Sequence, residues 1–143
     1  MTQIWAVFRI NQLKENTTIL IGCFTEELDA LKIACKHLQI AMNETFKADL
    51  LRRDEGKPES ELVNTCLNLF KDATNTYNQH DKNSTDVEEW RKIFKHCHSN
   101  FDTCFELRDN SGLEPISISI QIVQCPLNTV SDIYISEFDS GLF

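Results

Sequence analysis

Residues 18–42 read TILIGCFTEELDALKIACKHLQIAM, and the fold turns on where this stretch changes period. Ile19 to Phe24 is a short apolar run that suits a strand. From Thr25 onward Leu28, Leu31, Cys35, Leu38 and Met42 recur at the spacing of one helix face. Side chains alternate along a strand with period two and return to one face of a helix after about 3.6 residues. The stretch therefore predicts a strand handing over to a helix. Thr25 is the expected N-cap, and Glu26, Glu27 and Asp29 fill a first turn where the helix dipole favours negative charge.

Upstream, Gln3 to Ile10 is apolar on both sides. Ile4, Ala6, Phe8 and Ile10 lie on one, Trp5 and Val7 with Arg9 on the other. That pattern predicts a central strand. The polar run NQLKENTT, residues 11–18, predicts that the two strands pair as a hairpin. Downstream, the apolar phase continues through Phe46, Leu50 and Leu51 toward Gly56 and Pro58. A helix from Glu26 to Arg53 would reach about 42 Å at 1.5 Å per residue, against about 27 Å for an eight-residue strand. Its far end therefore overhangs the sheet, unless the helix bends near Asn43, and must find another partner.

Leu62, Cys66, Phe70, Ala73 and Tyr77 predict a second helix over 60–77. Thr85 and Glu88 have the spacing of a capping box, opening a third helix that buries Val87, Trp90, Phe94 and Cys97. Beyond Asn100, Thr103, Phe105 and Leu107 alternate with Cys104, Glu106 and Arg108, which predicts a strand. Ile116, Ile118, Ile120 and Ile122 alternate with Ser117, Ser119 and Gln121, predicting another with one dry and one wet face. Ile133 and Ile135 in 127–143 predict either a further strand or a C-terminal tail.

The expected order β-β-α-α-α-β-β describes one α+β domain over 1–143. Its sheet is mainly antiparallel with four or five strands, and helices pack on one face. With helices on one face only, Trp5, Val7, Leu20 and Phe24 are left on the other. Either the C-terminal tail or the second helix folds over this set, or a second copy of the protein covers it, since apolar patches of that size are seldom left in water. On the second reading these four residues are the expected surface of a homodimer, with Phe46, Leu50 and Leu51 as a second contact.

Composition narrows the function. The formal charge of −8 opposes broad binding to nucleic acid or anionic membrane, and no apolar run approaches a membrane span. The first residues, MTQIWAVFRI, lack a basic region and a cleavage site, which predicts an intracellular protein whose six cysteines are reduced. The sequons at Asn16, Asn43 and Asn83 then carry no glycan. There is no P-loop, nucleophile elbow or G-x-G-x-x-G, and four scattered glycines make no phosphate cradle. His96, His98 and Cys104 have ligand chemistry for zinc but not its usual spacing, so no metal or other cofactor is expected. Arg91, Lys92 and Lys95 with Arg52 and Arg53 offer an alternative reading as a nucleic-acid contact. Asp49, Asp54, Glu55, Glu88 and Glu89 interrupt that basic surface. An enzyme of another type is the second alternative.

The N-terminal segment resembles small uncharacterised proteins met in phages and large DNA viruses. Those carry a strand, a second strand ending in G-x-F-[ST] and a helix opening E-E-x-x-A. The corresponding positions are Gly22, Phe24, Thr25, Glu26, Glu27 and Ala30. The resemblance spans about the first 35 residues and brings no catalytic residues with it. It implies an accessory or virion protein.

Overall fold

Among the described residues, three stretches rich in β-branched and aromatic residues form strands, and three with helical spacing form helices. The structure, a computed structural model, describes residues 3–11, 17–54, 60–111 and 118–126, with side chains for all of these except 11, 45–54, 60 and 109–111. The elements run β1 (Gln3–Asn11), β2 (Thr17–Phe24), α1 (Glu27–Asp54), α2 (Ser60–Gln79), α3 (Val87–Ser111) and β3 (Ile118–Pro126). The class is α+β, as expected. The chain divides into two compact units, Met1–Ala34 with Ser117–Phe143, and Cys35–Ile116.

The first unit holds an antiparallel sheet of order β2-β1-β3. The expected hairpin of the first two strands is present, and β1 is the central strand. Residues directly opposite one another share a face. Val7 faces Ile122 and Arg9 faces Ile120, so the isoleucines of β3 lie on the face of Trp5 and Val7. Ile4 faces Cys125 and Ile10 faces Ser119 on the other.

Both faces lose water. Val7 and Ile120 are buried on one, Ile4, Ala6, Ile10 and Cys125 on the other. The wet face expected for β3 is therefore not found. Even the Ser119 hydroxyl oxygen is buried, with no hydrogen-bond partner. Tertiary cover has overridden the alternation of serine and isoleucine.

The second unit is helical. From α1 it buries Cys35, Leu38, Ala41 and Met42; from α2 Val63, Cys66, Leu67, Phe70 and Ala73; from α3 Trp90, Ile93, Cys97, Phe101 and Cys104. The far end of α1, for which a partner was expected, has its side chains from 45 onward outside the described residues, but the middle of the helix joins the other two. Gln39 Nε2 donates to Cys97 Sγ at 3.3 Å, and Thr74 Oγ1 donates to Gln39 Oε1 at 3.2 Å. One amide thus ties α1 to both other helices.

Two expectations are corrected in this unit. The strand expected over 103–108 is the last part of α3, which runs to Ser111. The spacing Cys97, Phe101, Cys104, Arg108 is helical, and all four are buried. The alternation of Phe105 and Leu107 is incidental to it. Asn100 does not end the helix. It is buried at the helix contact, where its Nδ2 donates to the Leu69 carbonyl at 2.9 Å and to Asp72 Oδ2 at 3.0 Å. Nor does Thr85 cap α3. Asp86 does, its Oδ1 accepting from the Glu88 and Glu89 amides at 3.0 and 3.3 Å. The sheet accordingly has three strands among the described residues, and the strand expected at Ile133 and Ile135 lies outside them.

Candidate functional site

The order β2-β1-β3 leaves β2 at an edge, with β1 on one side and no strand on its other side among the described residues. Edge strands commonly carry lysine or proline against pairing with another chain. The sequence of β2, TTILIGCF, has no charged residue and no proline.

Its register holds the main departure from the sequence reading. Phe24 faces Trp5 and Gly22 faces Val7, but Leu20 faces Phe8 and Ile19 faces Arg9. Ile21 is an extra residue, a β-bulge between the two halves of the strand. A one-residue slip moves every following side chain to the opposite face. Leu20, expected beside Trp5 and Val7, therefore lies on the Phe8 face, and Ile19 takes its place on the Trp5 face.

Exposure sorts the expected contact residues. Val7 is 0% exposed, sealed by its own chain, so it cannot be a contact. Trp5 and Phe24 are half-buried. A side chain at Gly22 would meet the Phe24 ring at 3.0 Å, so that ring lies against the glycine and covers the backbone on its own strand. Leu20 remains open at 45%, and Ile19, missed from sequence, is the most exposed large hydrophobic among the described residues at 56%. The signal was Gly22: a glycine inside a strand pattern marks a bulge or a close approach, and here it marks both. Phe46, Leu50 and Leu51 lie on α1, but their side chains are outside the described residues.

The groups with chemical potential have structural occupations. His96 Nε2 is 2.7 Å from Asp72 Oδ2, and His98 Nδ1 is 3.0 Å from Asp102 Oδ2. The Cys104 thiol is buried and donates to the Cys66 carbonyl at 3.7 Å. The three weak metal candidates thus turn to different partners. Among the described residues no three His, Cys, Asp or Glu side chains converge on a metal position. Hydrogen bonds from Asn100 and then His96 hold the Asp72 carboxyl below its ordinary value.

Burial pushes the Cys35 thiol up to about 12 and the Cys97 thiol up to about 11. Both stay protonated at neutral pH, where a thiol is a poor nucleophile. Cys23, on β2, is the exposed cysteine, and none of the six is joined in a disulfide. Arg91, Lys92 and Lys95 are exposed, but Arg91 pairs with Glu88, and Lys95 lines a shallow depression with Phe94, His98, Ser99 and the acidic Asp102. Arg52 and Arg53 lie on α1 with side chains outside the described residues. A cleft of about 210 Å³ is lined by Met42, Asn43, Phe70, Lys71, Thr74 and Asn75. It is smaller than the roughly 300 Å³ at which small-molecule sites begin, and its lining offers no acid–base pair. No helix among the described residues is long and apolar enough to cross a membrane.

Fold and site together define an α+β protein whose most open apolar surface, among the described residues, is an uncharged sheet edge. Against protein-family models, curated proteins and solved structures the chain finds no match.

Proposed function

We propose that this protein works by association, as a homodimer, and not by catalysis. The observation that carries this reading is the exposure of Ile19 and Leu20 side by side on a strand without charge or proline. Exposed apolar side chains gain about 25 cal/mol for each Å² removed from water, and a partner seated on β2 would cover both. The other reactive groups among the described residues are buried, paired or scattered, which supports the non-catalytic part of the proposal. The role is that of an intracellular interaction or accessory protein. A virion component is the form suggested by the N-terminal resemblance.

Size-exclusion chromatography with light scattering tests the proposal. Self-association predicts a mass that rises above 16.5 kDa as concentration increases through the micromolar range. A mass fixed at that of one chain at every concentration defeats it.

A further inference from the structure

We draw no further inference here: the strongest candidate, the uncharged β2 edge with Ile19 and Leu20 exposed, belongs to the association surface already described, and nothing among the described residues shows what covers it.

Discussion

Replacing Val7 by alanine separates a sealed core from a contact surface. Val7 is 0% exposed, between Ile122 on β3 and Gly22 on β2. Alanine removes two methyl groups, each worth about 0.8 kcal/mol on burial, and Gly22 opposite has no side chain to close the gap. A loss of about 2 kcal/mol follows. For a chain of 143 residues the unfolding entropy is about 0.3 kcal/mol per degree, so the melting temperature should fall by about 6 °C. Thermal unfolding followed by circular dichroism measures this at low concentration, where the protein is monomeric. Light scattering below the transition should give an unchanged dimer dissociation constant. The reasoning fails if Val7→Ala leaves stability intact or weakens the dimer tenfold, for Val7 would then be a contact residue, as its sequence pattern alone implies.

Three further outcomes are expected. Asp86→Ala removes the α3 cap and should cost about 1 kcal/mol, while Thr85→Ala should cost less than about 0.5 kcal/mol, which urea unfolding of the two variants compares. A thiol reagent at pH 8 should modify Cys23 rapidly in the folded protein and the five buried cysteines only after unfolding; fast reaction of Cys35 or Cys97 would contradict their raised titration. The lowered Asp72 carboxyl adds stability that is complete above its unfolded value near 3.8 and is lost as pH falls through the lower folded value. The stability difference between wild type and Asp72→Ala should accordingly shrink as pH falls below about 4, and a constant difference would rule the linkage out.

The α+β class, the N-terminal hairpin and, to within one residue, the helix starts were legible because apolar period is a local signal. Glu26 to Arg53 was expected for a helix that spans Glu27–Asp54, and Ser60 opens α2 as expected. The end of α3 was not legible. Buried Asn100 looks like a terminator until Leu69 and Asp72 are seen to satisfy its amide, and such partners come from another helix. Ser119 likewise looked solvated, yet its hydroxyl is buried, which the serine–isoleucine alternation of its own strand does not signal. The contact surface failed by one residue. Ile21 is bulged, and with period two that single insertion exchanged Leu20 for Ile19 on the Trp5 face. Gly22 carried the warning, but its weight came only with the Phe24 ring lying against it.

Sedimentation equilibrium of the wild type beside an Ile19→Lys/Leu20→Lys double variant puts association through β2 to its most direct test. The wild type should approach twice the 16.5 kDa chain mass as concentration rises, while the folded double variant stays at that mass. Equal masses for the two proteins at every concentration would contradict the account.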